Sequence, residues 1–199
     1  TGVCEHTLKG HTNFIHAFTL LHDGVLVSGS MDSSIRFWNT ETGKEYVERR
    51  IENTHGNSGI YSLALLPENM LASGGCDYKI ALWNLNNKNQ INTLSGHSSN
   101  INDLVVLSGN RLASVSHDGY VCIWNLNTPA QPIHKMNHGS SVRRALLLPD
   151  GTLATAAHDN NIKVWNIDIG ALLYTLSGHT HWVYMLALLP NGLLATGGY

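Results

Sequence analysis

The sequence lacks any apolar stretch near the ~20 residues that a membrane-spanning helix requires. It also lacks an excess of positive charge, since 12 lysines and arginines stand against 14 aspartates and glutamates, a formal net charge of −2. Nucleic acid favours a basic surface. Charged residues make up only 13% of the chain, and none of them form a run that resembles an interaction tail. We therefore expect neither a membrane nor a nucleic-acid partner.

Cysteine is scarce as well. Cys4, Cys76 and Cys122 are odd in number and show no metal-type spacing. They predict no disulfide framework, and they favour a reducing compartment such as the cytoplasm, with the nucleus left open. His-x-x-His spacing is absent too, so no zinc site and no other cofactor is expected. No window sustains an apolar period of about 3.6 residues, and no helix is predicted.

What the sequence does contain is a repeat. Four tryptophans, each followed by Asn, recur at intervals of 45, 41 and 41 residues: Trp38, Trp83, Trp124 and Trp165. An Asp lies six residues before each Trp, and a Ser or Thr lies ten before it. A His precedes that hydroxyl residue by 17 residues, or by 18 in the second copy, and a fifth copy begins at His179. A period near 41 indicates one supersecondary unit copied several times.

Within each repeat, short apolar runs alternate with turn signals. In the third copy, residues 101–107, 111–116 and 120–124 are apolar and β-prone, and a weaker strand follows at 132–136. Turn signals about every 8–12 residues favour hairpins over crossovers through helices. The repeats therefore predict an all-β fold of four-stranded sheets, each with three apolar strands and a mixed outer strand. An open stack such as a β-solenoid is disfavoured because solenoid periods are usually shorter.

These features resemble the WD40 repeat family of β-propellers. That family's pattern is a Gly-His pair, a small-residue second strand, an Asp in the next turn and a closing Trp-Asp. Gly-His occurs here at 10–11, 96–97 and 178–179, whereas Thr54 and Asn137 replace the Gly in copies two and four, and Asn replaces the closing Asp throughout. The resemblance covers residues 1–199 as a single domain. It implies a WD40-type β-propeller with four full blades and a partial fifth.

The repeat count also predicts a longer parent protein. Most WD40 propellers have seven blades, or roughly 290 residues at this period, whereas the fifth copy stops before its Asp and third strand. By resemblance, Cys4–Leu8 is expected to form an outer strand. The interval from Trp38 to His55 is three residues longer than in later copies, and residues 56–59 hold one more extra residue. We expect both insertions to lie at surfaces without shifting the strand register.

The resemblance further implies a buried hydrogen-bond chain in each blade. Indole N–H only donates, hydroxyl and imidazole donate and accept, and carboxylate only accepts, so the four residue types can link in series. The sets are Trp38–Ser28–His11–Asp32, Trp83–Ser73–His55–Asp77, Trp124–Ser114–His97–Asp118 and Trp165–Thr155–His138–Asp159. Ser, His and Asp also serve hydrolases. Here the trio recurs in every blade beside an indole and without a nucleophile elbow, so no catalytic residue is predicted.

Propellers of this family resemble one another in using the narrow top face around the central channel for docking. Three positions in each blade map to that face. The candidate partner-binding residues are Phe14, His16, Met31, Tyr61, Cys76, Asn102, His117, Arg143, His158, Trp182, Tyr184 and Tyr199, and the remaining mapped positions are Gly59, Asn100 and Ser141. Aromatic residues and Arg dominate interface hot spots. The alternative is that these side chains cap the channel and bury one another.

Three function hypotheses follow. The favoured one is a non-enzymatic scaffold, within a multi-protein complex, that binds a peptide or a partner domain, with Trp182, Tyr184 and Arg143 as anchors across blades four and five. Replacement of Trp182 by Ala is expected to weaken binding and leave stability nearly unchanged. The alternative is a targeting or regulatory region of a larger enzyme or ubiquitin-ligase-type assembly, with the chemistry outside these residues. A hydrolase within this segment has almost no support.

Overall fold

The computed structural model describes residues 2–128 and 131–199. Across these residues it forms seventeen β-strands in five antiparallel sheets, together with two short 3-10 helices. The first strand of each sheet contacts the first strand of the next, as in a propeller whose first strands are innermost. The sheets do not close into a ring. The predicted arc of all-β blades is therefore confirmed, and the helical segments it contains are single turns.

Four of the five sheets have three or four strands, and the last has two. Blade one contains β1 (Ile15–Leu20), β2 (Leu26–Ser30) and β3 (Ile35–Trp38). Blade two contains β4 (Ile60–Leu66), β5 (Met70–Gly75), β6 (Lys79–Asn84) and β7 (Asn89–Ser95). Blade three contains β8 (Ile101–Leu107), β9 (Arg111–Ser116), β10 (Tyr120–Asn125) and β11 (His134–Asn137). Blade four contains β12 (Val142–Leu147), β13 (Leu153–Ala157), β14 (Ile162–Asn166) and β15 (Ala171–Leu176), and blade five contains β16 (Val183–Leu188) and β17 (Leu194–Gly198).

The hydrophobic core lies between the blades. Each apolar cluster joins two neighbouring sheets: Phe37 of blade one packs in one cluster with Leu71 and Trp83 of blade two, and similar clusters join blades two and three, three and four, and four and five. Removing this apolar surface from water is the main force that holds the blades face to face. Because each blade depends on its neighbours, the relative placement of the top-face residues is fixed by the same packing.

Two expected strands are absent from the described residues, and both predictions were wrong. In blade one, isolated bridges pair Trp38 with Glu45 and Ile35 with Ile51. A 3-10 helix at Val47–Arg49 lies between them, because the three extra residues interrupt the outer strand. Residues 4–8 form no strand either. Instead, His6 Nε2 donates to the carbonyl of Glu41 at 2.8 Å, which holds this segment against the turn that follows β3.

The second insertion leaves the core register intact, as predicted. A 3-10 turn at Thr54–Asn57 takes up the extra residue through positive φ angles of 51° at His55 and 60° at Gly56. Beyond it, Ile60 pairs with Gly75. The equivalent pair in blade three is Ile101 with Ser116, 41 residues further along the chain in each strand. The insertion therefore changes a turn whose residues 56 and 57 are exposed, and it leaves the strand pairing of the blade unchanged.

The buried hydrogen-bond chain is confirmed in blades one to three. In blade one, Trp38 Nε1 donates to Ser28 Oγ at 2.8 Å, and that hydroxyl contacts His11 Nε2 at 2.7 Å. His11 Nδ1 then lies 2.8 Å from Asp32 Oδ2. Blades two and three repeat the three contacts at 2.7–2.9 Å. Each chain thus ties the second and third strands of its blade, and the turn between them, to the loop before the first strand.

Blade four departs from the prediction. Trp165 donates to Thr155 Oγ1 at 2.7 Å, but that hydroxyl donates to the carbonyl of Lys163 at 3.3 Å rather than to His138. His138 Nε2 lies 3.4 Å from the backbone carbonyl of Thr155, and its Nδ1 has no hydrogen-bond partner although Asp159 is 3.4 Å away. The presence of threonine does not by itself explain the change, because Thr196 Oγ1 in blade five lies 2.7 Å from His179 Nε2.

Candidate partner-binding face

Every innermost strand carries a β-bulge at the same position. The register skips one residue in β1, β4, β8, β12 and β16. The skipped residues are His16, Tyr61, Asn102, Arg143 and Tyr184. A bulge leaves one residue unpaired and redirects its side chain, and bulges are common beside functional sites. The same β-bulge in each blade therefore leaves five of the sequence-predicted residues without a partner in the strand pairing.

These five side chains converge on one cavity of about 150 Å³, which is also lined by Arg144 and Met185. The rings of His16 and Tyr61 stack with their centroids 4.7 Å apart. The guanidinium carbon of Arg143 lies 5.2 Å from the centroid of the Tyr184 ring. Residues from all five blades therefore share one opening at the centre of the arc.

The other two mapped positions of each blade are joined by a repeated backbone hydrogen bond. Met31 N–H donates to the carbonyl of Phe14 at 2.8 Å, and His158 N–H donates to that of Ser141 at 3.0 Å. The same bond joins Cys76 to Gly59, His117 to Asn100 and Tyr199 to Trp182. The loop before the first strand and the turn after the second are thus held together in every blade.

A cluster of aromatic rings lies on the candidate face where blades four and five meet. The Trp182 side chain keeps 41% exposure. It stacks on His158 with ring centroids 4.2 Å apart and an interplanar angle of 9°. Tyr184 lies edge-on to Trp182 at 6.3 Å and to Tyr199 at 5.8 Å. The structure therefore brings these four predicted residues into one partly exposed aromatic surface.

The remaining predicted residues differ in accessibility. Phe14 is 75% exposed and Tyr199 is 87% exposed, so both rings are open to solvent. Met31 and Cys76 are partly buried and place their sulfur atoms 3.9 Å apart across blades one and two. Asn102 is 7% exposed, and its Nδ2 donates to the carbonyl of Val142 at 2.5 Å. Asn102 therefore fixes the junction of blades three and four from beneath the face.

Arg143 is the cation at the centre of this face. It donates to His117 Nε2 and lies over the Tyr184 ring. The pKa of His117 is lowered by burial, then by the charge of Arg143 and by His158. Burial and Arg143 also lower the pKa of His158 and of His16. The histidines around Arg143 are thus held in the neutral form at neutral pH, and Arg143 supplies the fixed positive charge.

Sequence reasoning missed three residues of this face: Arg144, Met185 and His181. Arg144 and Met185 directly follow the bulged residues and line the cavity, because a bulge brings two consecutive side chains towards one side of the strand. His181 lies 5.3 Å from Trp182, ring to ring. A search for residues adjacent to the mapped positions would have found all three.

Other classes of site are not found in the described part of the chain. No group of three or more His, Cys, Asp and Glu side chains there is arranged to hold a metal ion. None of the described helices is long and apolar enough to cross a membrane. The pKa of the Cys76 thiol is raised by burial, which favours the unreactive thiol over the thiolate.

Comparison with known proteins gives two findings. The family model described as "WD domain, G-beta repeat" matches residues 2–39, 48–84, 88–125, 130–166 and 170–199. A segment of 44 residues is 43% identical to "Cell division control protein 4" of Candida albicans. That segment is 22% of this chain and 6% of the yeast protein. The family match extends over nearly all of the sequence, whereas the similarity to the yeast protein is confined to about one repeat.

Proposed function

This chain belongs to the WD40 repeat family, and on that premise we propose that it is a non-enzymatic scaffold that binds a peptide or a partner domain on the face around its five bulges. Repeats of this family generally serve as protein-interaction modules. The finer proposal concerns which surface is used. It assigns binding to the cavity-lining residues and to the adjoining aromatic cluster.

The convergence of the five bulged side chains carries the proposal. A repeated bulge is not required for pairing two strands, because it interrupts the ladder. Here it gives one cavity, lined by aromatic, amide and guanidinium groups from separate blades. Exposed aromatic rings beside that cavity supply the residue types that dominate interface hot spots. The rings are already packed against one another, which reduces the entropy lost when a partner orders them.

The arrangement of the Ser-His-Asp trios argues against hydrolysis. A catalytic serine must reach a substrate and must lie beside an oxyanion hole. Ser28, Ser73 and Ser114 are 5%, 0% and 0% exposed. Each hydroxyl is engaged by an indole N–H at 2.8 Å. The hydrogen bonds of these trios therefore stabilise the strands within each blade.

A display experiment tests the proposal. A random peptide library would be selected on the protein, and the affinity of the enriched peptides would be measured for two variants. The Tyr61→Ala/Tyr184→Ala variant removes two rings of the cavity and should weaken binding about tenfold or more, as expected for hot-spot aromatics. Tyr174→Ala removes a 49% exposed ring from the outer strand of blade four and should leave affinity unchanged. Equal affinity of both variants would show that the peptides bind elsewhere.

A second candidate is a targeting or regulatory region of a larger assembly, with any chemistry outside this segment. The similarity to a segment that makes up only 6% of a protein named for cell division control favours this possibility. It predicts that the purified assembly contains an enzymatic activity that persists when Tyr61 and Tyr184 are replaced, while recruitment of the target is lost. Activity that resides in the isolated blades would contradict it.

A further inference from the structure

Arg143 differs from every other arginine in the described chain. The chain contains six arginines, and five of them lie within 4.0 Å of a carboxylate: Arg36, Arg49, Arg50, Arg111 and Arg144. Arg143 contacts no described carboxylate. It is partly buried, and its neighbours are the imidazole of His117 and the ring of Tyr184. Removing a cation from water without an anion is unfavourable, and among the described residues the charge of Arg143 stays uncompensated.

The charge of Arg143 acts on histidines from three blades. It lowers the pKa of His16, His117 and His158, after the larger effect of burial. His16 comes from blade one and His158 from blade four, so the field of Arg143 extends across the opening. Arg144 also lines the cavity, but Asp103 Oδ1 lies 3.4 Å from its guanidinium, so Arg144 has a carboxyl partner that Arg143 lacks. The lining residues contain no carboxylate of their own.

One residue that lines the cavity also has an unpaired acceptor. Asn102 Oδ1 is buried and has no hydrogen-bond partner among the described residues, while the amide nitrogen of the same side chain donates to Val142. An unpaired buried acceptor favours a ligand that brings an N–H group. A peptide carries both complementary groups, since an acidic side chain supplies the anion and the backbone supplies the N–H.

We propose that the central cavity is a subsite for a monoanionic carboxylate, supplied by a glutamate or aspartate side chain of the bound peptide and held by Arg143. This proposal rests on the proposed function and names the chemistry of its partner. One uncompensated guanidinium balances one negative charge, whereas a phosphate carries about −1.5 to −2 near pH 7. The volume of about 150 Å³ equals a few water molecules of roughly 30 Å³ each, which suits a side-chain carboxylate.

The test uses two capped peptides, acetyl-Ala-Glu-Ala-amide and acetyl-Ala-Gln-Ala-amide, titrated into the protein at pH 7.5. Binding is followed by NMR through the Nε–H signal of Arg143 and the ring signals of Tyr184. The Glu peptide should bind about tenfold or more tightly than the Gln peptide, because hydrogen bonds to charged groups are worth at least one decade in affinity. Added salt should reduce the difference.

Arg143→Gln should abolish the preference for the Glu peptide. Arg111→Gln removes the same charge from a residue that pairs with Asp168 outside the cavity, and this variant should keep the preference. Equal binding of the two peptides, or a preference that survives Arg143→Gln in a folded protein, would overturn the proposal. A phosphoserine peptide that binds more tightly than the Glu peptide would also overturn it, as would equal binding of a peptide whose only carboxylate is its C-terminus.

The outcomes separate this proposal from the one it rests on. Display-selected peptides that depend on Tyr61 and Tyr184, but bind equally well after acid-to-amide replacement, would refute the carboxylate subsite and leave the scaffold function standing. Binding of the Glu peptide at Arg143, without any selected peptide depending on those rings, would refute the proposed function instead.

Discussion

The indole of Trp182 lies parallel to the imidazole of His158, with ring centroids 4.2 Å apart and an interplanar angle of 9°. The two residues belong to different mapped positions, one before the first strand of blade five and the other in the turn after the second strand of blade four. Their stack therefore joins two blades on the candidate face. It also holds the exposed indole in place, so that a partner would meet a surface already formed.

Replacement of Trp182 by Ala should weaken binding of a display-selected peptide by about 2 kcal/mol or more, the scale of aromatic hot spots. Loss of the stack on His158 should also lower the free energy of unfolding by about 0.5–1.5 kcal/mol, the value of an aromatic pair. The sequence did not predict this effect. Calorimetry of binding and urea unfolding would measure the two effects. Tyr174→Ala is the matched control, because Tyr174 is exposed on an outer strand. A large loss of stability with unchanged affinity of the folded protein would mean that Trp182 is a core residue.

Blades three and four should respond differently to loss of the central hydroxyl. Ser114 is fully buried and engages both Trp124 Nε1 and His97 Nε2, so Ser114→Ala leaves two buried groups without partners. We expect about 1–3 kcal/mol of lost stability for each unpaired group. Thr155→Val should cost less, because its side chain satisfies only the indole of Trp165 in the tetrad. Equal losses in urea unfolding would contradict the altered network of blade four.

The repeat spacing was sufficient to predict the core strands, and the resemblance to the WD40 family added the blades and three of the four hydrogen-bond chains. These features recur in every copy, so an ambiguous position in one copy could be assigned by alignment with the others. What could not be predicted is local to one copy. The hydroxyl of Thr155 turns towards Lys163, and residues 47–49 form a 3-10 turn where an outer strand was expected. Both depend on side-chain rotamers and insertions that a repeat pattern does not contain.

The candidate face was partly predictable for the same reason. Mapping by motif located the five residues that occupy the bulges, although nothing in the sequence revealed the bulges themselves. The sequence did not predict which side chains contact each other across blades. The missing carboxylate partner of Arg143 and the unpaired Oδ1 of Asn102 follow only from three-dimensional neighbours, since no spacing rule links these residues.

Acidification should destabilise the fold, starting near pH 6.5. The pKa of His138 is lowered because burial disfavours the imidazolium, an effect that the charge of Asp159 offsets only in part. Between that lowered value and about 6.5, the unfolded chain binds a proton that the folded chain does not. Stability therefore rises with pH through this window and is lost as the pH falls below about 6.5. The lowered pKa values of His11, His16, His117 and His158 act in the same direction.

Urea unfolding at pH 7.5, 6.5 and 5.5 would measure this dependence. Asp118 does not contribute in that range. Burial alone would raise its pKa, but its interactions with His97 and its hydrogen bonds from the backbone N–H groups of Ser98 and Tyr120 outweigh burial and hold the pKa at about 2. His138→Asn should flatten the dependence by at most about 1.4 kcal/mol per pH unit, the effect of one proton. Stability that stays constant or increases on acidification would refute the assignment of neutral buried histidines.

Gly74 should not tolerate a methyl group, because blades two and three meet there. A Cβ on Gly74 would lie 2.5 Å from Ile101 Cγ2 and 2.8 Å from Ile101 Cβ. The Ser62 hydroxyl, also within contact distance, can rotate away, whereas the branched side chain of Ile101 has little rotamer freedom. Overpacking of this kind typically costs about 1–3 kcal/mol, so Gly74→Ala should lower the free energy of unfolding by that amount.

A double-mutant cycle separates the clash from any effect of alanine on the strand itself. Ile101→Ala alone should be destabilising by about 2–5 kcal/mol, since it opens a cavity. In the Ile101→Ala background, Gly74→Ala should cost much less than it does in the wild-type protein, giving a coupling between these contacting residues of about 0.5–3 kcal/mol. If the two losses simply add, the blades do not approach each other through Gly74, and the small residues of the second strand need another explanation.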